Sequence, residues 1–232
     1  MELAGKRVGI FIEKMYQEFE FWYPYFRMKE AGAKVSIIGT GAKEYLSLNG
    51  LPAPGGLVFK SVNDLVNAEA VSAADFDAII VPGGFAPDYM RRNQAMLKLV
   101  RDCFEQRKIV AAICHAGWVL ASAGILKGRT ATCLFSIKDD VINAGAKYVD
   151  QEVVRDGNLI TSRLPDDLPA FLREIIAALK DPSLFIKPYT FRFTLFLHYG
   201  FLPLGERGRS GEDLERMTPW TRMFSTGYRL RT

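Results

Sequence analysis

A cysteine and a histidine that could form a nucleophilic pair stand next to each other, Cys114 and His115. They follow an apolar run, residues 109–113, that predicts a buried β-strand. Ala112 and Ala116 flank the cysteine two places away, and a sharp strand-to-helix turn requires small side chains there because it presses them together. A cysteine at the first turn of a helix also meets unpaired N–H groups and the positive end of the helix dipole, which favour its thiolate. We predict that Cys114 is an enzyme nucleophile on a nucleophile elbow.

The alternative for Cys114 is an inert core residue, because free cysteine commonly packs as a small hydrophobe. Three features argue for the reactive role: the adjacent His115, the small flanking residues and a second strand end that is rich in glycine. That second strand, Ala78 to Val81, is followed by Pro82-Gly83-Gly84. Glycine lets backbone N–H groups approach a developing oxyanion. We predict an oxyanion hole formed by the Gly84 and His115 N–H groups, with Gly83 lining the substrate pocket.

A carboxyl group near the sulfur would complete the site, since it can donate a hydrogen bond when protonated and act as a general base when ionised. Glu20, which follows the first predicted strand, is the best candidate, and Gln17 and Glu18 are the alternatives. A purely structural role for Glu20, at the N-terminus of a helix, fits the pattern equally well. His115 can act as a base only where an acid holds its ring inward. Asp88 could supply that acid directly or across a subunit interface.

Strand-like and helix-like runs alternate along the chain, which indicates βαβ units and a mostly parallel sheet. We predict a doubly wound α/β fold in which the carboxyl ends of the strands meet at one ligand site. The predicted strands are Arg7 to Ile12, Lys34 to Ile38, Ala78 to Val81, Ile109 to Ile113 and Thr130 to Cys133, with a hairpin of Gln151 to Val154 and Leu159 to Thr161. The predicted helices are Phe19 to Ala31, Tyr89 to Gln106 (as one helix or two), His115 to Ala123, Ile137 to Asn143 and Leu168 to Leu179. A small β excursion is predicted within Leu46 to Val58.

The composition excludes several classes of protein. Hydrophobic residues make up 49% of the 232 residues and charged residues 24%, as in an ordinary globular domain. No uncharged apolar run of about 18 residues occurs, so no transmembrane segment is expected. The first residues lack the apolar core of a signal peptide, so we expect a cytoplasmic location. Three cysteines and two histidines show no metal-ligand spacing, and neither a metal nor an organic cofactor is expected.

The C-terminal part of the chain differs in charge from the rest. Residues 182–232 hold 8 Lys and Arg against 4 Asp and Glu, whereas residues 1–181 hold 22 of each, so the net charge of +4 arises wholly in the tail. The main part therefore shows no electrostatic sign of nucleic-acid binding. We predict an α/β domain over residues 1–180 and a C-terminal extension of unknown role over residues 181–232. The extension either packs on the domain or on a partner subunit, or contacts a surface or membrane, or is foreign to this fold.

Four segments of this sequence occur in the order and at the spacing of a known family. They are the segments Tyr16 to Pro24, Val81 to Arg91, Ala112 to Gly117 and Ile137 to Asp150. Over residues 6 to 180 the chain resembles the PfpI-type intracellular protease/amidase family. That family lies in the class I glutamine-amidotransferase-like superfamily, alongside the parkinsonism-associated deglycases.

The resemblance implies a flavodoxin-like α/β sandwich, a nucleophilic Cys114 beside His115, an acid matching Glu20 that contacts the sulfur, and oligomers built on dimers. In the protease-like members an acid from the adjacent subunit completes a Cys-His-acid triad, and Asp88 stands at that position here. The sequence departs from many relatives after the histidine, where Trp118 places an indole near the substrate pocket. It also has Gln17 where some relatives have another acid.

The leading hypothesis for function is a cofactor-independent cysteine hydrolase or lyase. It would act on small reactive carbonyls such as methylglyoxal, or on their adducts with amines and thiols, as a deglycase or glyoxalase in stress protection. We expect a homodimer or larger homo-oligomer that binds no nucleic acid. A second hypothesis is peptide hydrolysis, with Asp88 of a neighbouring subunit orienting His115. A third is a non-enzymatic redox sensor or chaperone in which Cys114 is oxidised to a sulfinic acid.

Overall fold

A seven-stranded sheet forms the centre of the computed structural model, which describes residues 1–53 and 64–180. Numbered along the chain and given in spatial order, its strands are β10 (Val153–Asp156), β11 (Leu159–Ser162), β7 (Ile109–Ile113), β6 (Ala78–Val81), β1 (Arg7–Phe11), β2 (Lys34–Gly39) and β5 (Leu65–Asn67). All neighbours are parallel except β10 and β11, which form an antiparallel hairpin. The three central strands are almost wholly apolar because helices cover a parallel sheet on both faces.

The helices of the described residues flank this sheet in two groups. They are α1 (Glu18–Glu30), α2 (Ala86–Met90), α3 (Gln94–Glu105), α4 (Gly117–Ala123), α5 (Lys138–Asn143) and α6 (Leu168–Lys180). The α1 and α6 helices pack against each other and on the sheet, while α4 contacts α2, α3 and α5. Their apolar faces and the sheet form one continuous hydrophobic core. The predicted α/β fold with a doubly wound, mostly parallel sheet is therefore confirmed.

The direction of winding reverses at β1, and this reversal places the site. From β1 the chain proceeds to β2 on one side, and later returns to build β6, β7 and β11 on the other. In open α/β sheets, ligands bind at such a switch point, outside the carboxyl ends of the strands. The carboxyl ends of β1, β6 and β7, which are direct neighbours, therefore meet at one edge.

For one predicted element the structure decides between two alternatives, and another it corrects. The predicted helix Tyr89 to Gln106 is two helices, α2 and α3, and the Asn93 side chain caps the second by accepting a hydrogen bond from the Met96 N–H. The predicted strand Thr130 to Cys133 is shorter than predicted and does not join the main sheet. Only β8 (Thr130–Ala131) is a strand, and it pairs with β9 (Lys147–Tyr148) in a separate parallel pair. The reason is that β11 already occupies the position beside β7.

One further pair of short strands adjoins the segment that follows β1. Strands β3 (Tyr45–Leu46) and β4 (Pro52–Ala53) form an antiparallel pair, which covers part of the predicted β excursion. The rest of that excursion, from residue 54, and the C-terminal extension over residues 181–232 lie outside the described residues. Within the described ranges, no helix is both long and apolar enough to cross a bilayer.

Candidate active site

Cys114 lies at the sharp turn between β7 and α4. Its backbone adopts φ of 62°, in the left-handed region that non-glycine residues enter at a cost of roughly 1–3 kcal/mol. One 3₁₀ turn, Cys114–Ala116, joins the strand to α4. Ala112 and Ala116 are both buried, so the small flanking residues that the turn requires are packed tightly against the core. The side chain of Cys114 is itself nearly buried, with 7% of the residue exposed.

Gly83 allows the thiol and the Glu20 carboxyl group to meet. A Cβ atom at this position would lie 2.6 Å from Glu20 Oε2, 2.6 Å from Cys114 Cβ and 3.0 Å from Cys114 Sγ. Real Cβ atoms essentially never approach other heavy atoms to 2.6 Å, so only glycine fits without displacing both side chains. The Gly83 N–H also donates a hydrogen bond of 2.7 Å to Glu20 Oε2. Three sequence-predicted residues, Glu20, Gly83 and Cys114, are thus in direct contact.

The Glu20 carboxyl group is fully buried, and this burial changes its acidity. Burial raises the pKa of Glu20 to about 7, opposed by the hydrogen bonds from the Gly83 N–H and the Cys114 thiol. Glu20 Oε1 is buried and has no hydrogen-bond partner among the described residues. The carboxyl group therefore changes its protonation state close to neutral pH.

The thiol of Cys114 is held protonated at neutral pH. Burial and then the charge of Glu20 raise the pKa of Cys114 to about 12, against the backbone N–H groups of Gly84 and His115. The two backbone donors that the sequence predicted for the oxyanion hole therefore do face the sulfur. Both lower the pKa of the thiol and so favour the thiolate, as predicted, but desolvation of the buried sulfur outweighs them.

His115 lies between the sulfur and the surface. Its Nδ1 atom is 3.4 Å from Cys114 Sγ, and its Nε2 atom is 3.4 Å from the Ser136 hydroxyl oxygen. Burial lowers the pKa of His115, so the ring is neutral at pH 7, with one nitrogen a donor and the other an acceptor. Sequence reasoning missed Ser136, since nothing in the local pattern connects it to a histidine that precedes it by 21 residues.

Aromatic side chains flank the His115 ring at the entrance to the site. The Phe85 and Trp118 rings lie 5.7 and 5.0 Å from it, centroid to centroid. Phe85 is 49% exposed, and the Trp118 indole N–H donates to Asp140 Oδ2 at 2.9 Å. The Trp118 side chain thus lies beside His115, and its role in a substrate pocket stays a prediction.

Asp88 is not brought to His115 within one chain. It lies in the first turn of α2, where its side chain is 41% exposed and forms an ion pair with Arg92 one turn later. The predicted direct contact between Asp88 and His115 does not occur within one chain, where the Asp88 carboxylate pairs with Arg92 instead. The other alternative, an Asp88 supplied by a second subunit, stays a prediction.

The two alternatives to Glu20 have other partners. The Glu18 carboxylate is buried and accepts hydrogen bonds from the Ser47 hydroxyl at 2.6 Å and from the Asn49 N–H at 3.0 Å. The Gln17 side chain caps α1 by accepting a hydrogen bond from the Glu20 N–H. Glu20 is therefore the acid beside the sulfur. The part of the chain that the structure describes has no group of three or more His, Cys, Asp or Glu side chains placed to hold a metal ion.

Cys114, Glu20 and the Gly83-Gly84 turn all lie within a stretch of the chain that matches a known protein family. The sequence profile of the DJ-1/PfpI family matches residues 6–178. The chain belongs to the DJ-1/PfpI family. The match covers every element of the central sheet and all the site residues described above.

Individual members of the DJ-1/PfpI family resemble the chain over most of its length. Deglycase PH1704 of Pyrococcus horikoshii is 42% identical over 165 residues, which are 71% of this chain and 94% of the relative. Protein/nucleic acid deglycase 2 of Escherichia coli is 38% identical over 176 residues, 75% of this chain and 98% of the relative. Among solved structures, a two-domain protein of Anabaena variabilis with DJ-1/ThiJ/PfpI-like and ferritin-like domains matches with a TM-score of 0.69 and 39% identity. That match covers 75% of this chain, which spans half the length of the two-domain protein.

Proposed function

We propose that the protein is a cysteine-dependent hydrolase or lyase that acts on reactive carbonyls such as methylglyoxal, or on their adducts with protein groups. The observation that carries this proposal is the contact between the Cys114 thiol and Glu20, whose pKa burial raises to about 7. A general base works best when its pKa lies near the working pH. The names of the two deglycases among its relatives support the same class of reaction.

The first chemical step would be addition of the Cys114 sulfur to the aldehyde carbon. As the C–S bond forms, the Glu20 carboxylate takes the thiol proton and the π electrons of the carbonyl move to its oxygen. The Gly84 and His115 N–H groups, which face the sulfur, would stabilise that oxyanion. Glu20 then returns the proton to the oxygen, which gives a hemithioacetal and restores the carboxylate.

No external oxidant is needed for the overall conversion. Methylglyoxal and water together have the atoms of lactate, because the aldehyde carbon is oxidised while the neighbouring ketone is reduced. The protein must therefore form the thiol adduct and move protons. Cys114 supplies the thiol, and the buried Glu20 beside it supplies the carboxyl group that moves the protons. His115, neutral at pH 7, can accept or donate a proton at the outer side of the same sulfur.

The test of this proposal is methylglyoxal consumption by the Cys114→Ala variant. We expect a loss of at least 1,000-fold, the order of the effect of removing a nucleophile that acts as one unit with its base. The matched control is Cys103→Ala, which removes a second buried thiol, on α3 and away from the site, and should retain turnover. Turnover by Cys114→Ala would refute the proposal. So would a wild-type protein that only gains mass at Cys114 with peroxide and shows no turnover.

Peptide hydrolysis is the second candidate function. It is favoured by the position of Asp88, which is exposed on α2 and thus open to the His115 of another copy. This candidate requires a homo-oligomer, and it predicts that hydrolysis of a peptide substrate disappears in Asp88→Ala and on dilution of the protein. We propose a cytoplasmic location for either activity, where carbonyl stress and damaged proteins arise.

A further inference from the structure

The side chain of Gln17 completes a ring of three hydrogen bonds that includes Glu20 and Gly83. Gln17 Oε1 accepts from the Glu20 N–H at 2.9 Å, and Glu20 Oε2 accepts from the Gly83 N–H at 2.7 Å. The Gly83 carbonyl in turn accepts from the Gln17 N–H at 3.3 Å. Each of the three residues therefore donates one hydrogen bond and accepts one within the ring.

We propose that Gln17 is a positioning residue for Glu20, which it holds against Gly83 and the Cys114 thiol. This inference rests on the proposed function, in which Glu20 and Cys114 exchange a proton. Gln17 does not contact the sulfur and acts only through Glu20.

The ring joins two turns that come from different parts of the fold. Gln17 ends the segment between β1 and α1, while Gly83 lies in the segment between β6 and α2. The two backbones approach so closely that a Cβ atom at Gly84 would lie 2.6 Å from the Gln17 nitrogen. Gly84 also adopts φ of 76°, which favours glycine. The position of Gln17 is thus constrained by its backbone as well as by its side chain.

Glu20 occupies the third position of α1, so its orientation depends on how that helix begins. A residue that caps the N-terminus accepts a hydrogen bond from the N–H of the second or third helical residue, and Ser, Thr, Asp and Asn are the usual choices. Here the longer Gln17 side chain caps the N–H of Glu20 itself. Loss of this cap would release the first turn of α1 and, with it, the carboxyl group that faces Cys114.

The neutrality of Gln17 matters as well as its geometry. The titratable groups around Glu20 are the Cys114 thiol in contact with it, His115 beyond the sulfur, and Glu18 and Tyr16 on the adjoining segment. Glu18 is already bound to Ser47 and Asn49, and the Tyr16 hydroxyl donates to the Leu51 carbonyl. An acid in place of Gln17 would add a like charge beside Glu20 and would raise its pKa further.

The test is the rate at which iodoacetamide alkylates Cys114 as a function of pH, read by mass spectrometry so that the three cysteines are distinguished. Wild type is expected to show an inflection near pH 7, from the titration of Glu20, that disappears in Glu20→Gln. Gln17→Ala should lower the amplitude of that inflection by threefold or more. Gln17→Glu keeps an acceptor oxygen at the cap and should move the inflection to higher pH by at least 0.5 units, roughly the effect of one nearby charge.

A matched control separates positioning from simple loss of a helix cap. Asn93 caps α3, because its Oδ1 atom accepts a hydrogen bond from the Met96 N–H at 3.0 Å. Asn93→Ala removes this cap and should leave the pH profile of Cys114 alkylation unchanged. The inference is overturned if Gln17→Ala and Gln17→Glu both retain the wild-type profile while Glu20→Gln changes it. If Glu20→Gln also retains the wild-type profile, the proposed function fails and the inference fails with it. Gln17→Glu keeps the test decisive should Gln17→Ala not fold.

Discussion

The inner and outer parts of the candidate site are built differently. In the inner part, Glu20, Gly83 and Cys114 touch one another and are buried, and their positions follow from three adjacent strands of one chain. In the outer part, Asp88 is bound to Arg92 at the surface, and His115 has the Ser136 hydroxyl 3.4 Å from its outer nitrogen. The inner part is complete within one chain, whereas a triad that includes Asp88 requires a second one.

The two acids show what this difference means for electrostatics. Glu20 has 0% exposure and a pKa raised by burial to about 7, so its protonation state is sensitive to the contact with Cys114. Asp88 lies in water beside a cation, where an ion pair contributes little. The inner acid is therefore suited to proton transfer, and the outer acid to recognition of another group.

Among the substitutions that compare the two parts, Gly83→Ala in the inner part is expected to have the largest effect. The new Cβ would lie 2.6 Å from atoms of both Glu20 and Cys114, so the pair must separate. We expect the rate of methylglyoxal consumption to fall by at least tenfold, and stability to fall by roughly 1–3 kcal/mol, as for other overpacked cores. Steady-state kinetics and denaturant unfolding measure the two effects.

Gly117→Ala is the matched control for that substitution. Its Cβ would come within 2.9 Å of Val141 and 3.0 Å of Ile137, but these atoms are the ends of aliphatic side chains that can move. The control should lose some stability and retain the pH profile of Cys114 alkylation. Equal kinetic losses in the two variants would show that Gly83 acts only through general packing.

The next largest effect is expected on the pH dependence of stability in Glu20→Gln. The pKa of Glu20 is raised from 4.5 when unfolded to about 7 when folded, so the folded state is favoured most while the group is protonated. This contribution is fully present below pH 4.5 and is lost as the pH rises through 7. From pH 4.5 to pH 8, wild type should lose up to about 3 kcal/mol relative to Glu20→Gln.

Denaturant unfolding of wild type and Glu20→Gln at several pH values measures this difference. Asp167→Asn is a useful comparison, because Asp167 is also buried but is bound to Arg163 through two hydrogen bonds. Parallel stability curves for wild type and Glu20→Gln between pH 5 and 8 would show that Glu20 does not titrate in this range. Glu20 would then be no better suited to proton transfer near neutral pH than Asp88.

The smallest effect is expected from Asp88→Asn in the outer part. An exposed ion pair one helical turn apart contributes about 0.5 kcal/mol or less, so stability should change by no more than that. The pH profile of Cys114 alkylation should not change, since Asp88 does not contact the inner part. A profile that shifts in the oligomer but not after dilution would instead show that Asp88 of another copy reaches His115.

The positions of the strands along the chain and most of the site residues could be anticipated because both depend on local patterns. Apolar runs predict strands that are buried on both faces, and the residues that follow them must gather at one edge of a parallel sheet. This reasoning led to Cys114, to the Gly83-Gly84 turn and to Glu20. It failed for Thr130 to Cys133, because a short apolar run does not reveal whether a place beside β7 is still free.

What the sequence determined by itself was the identity of the reacting groups: a cysteine between small residues, a histidine after it, and an acid after the first strand. Only the tertiary structure decided how those groups are charged and which of them meet. Desolvation depends on the atoms that surround a group from every side, so burial makes Cys114 a protonated thiol and brings Glu20 to a pKa of about 7. The same packing places Gln17 between two turns and leaves Asp88 outside.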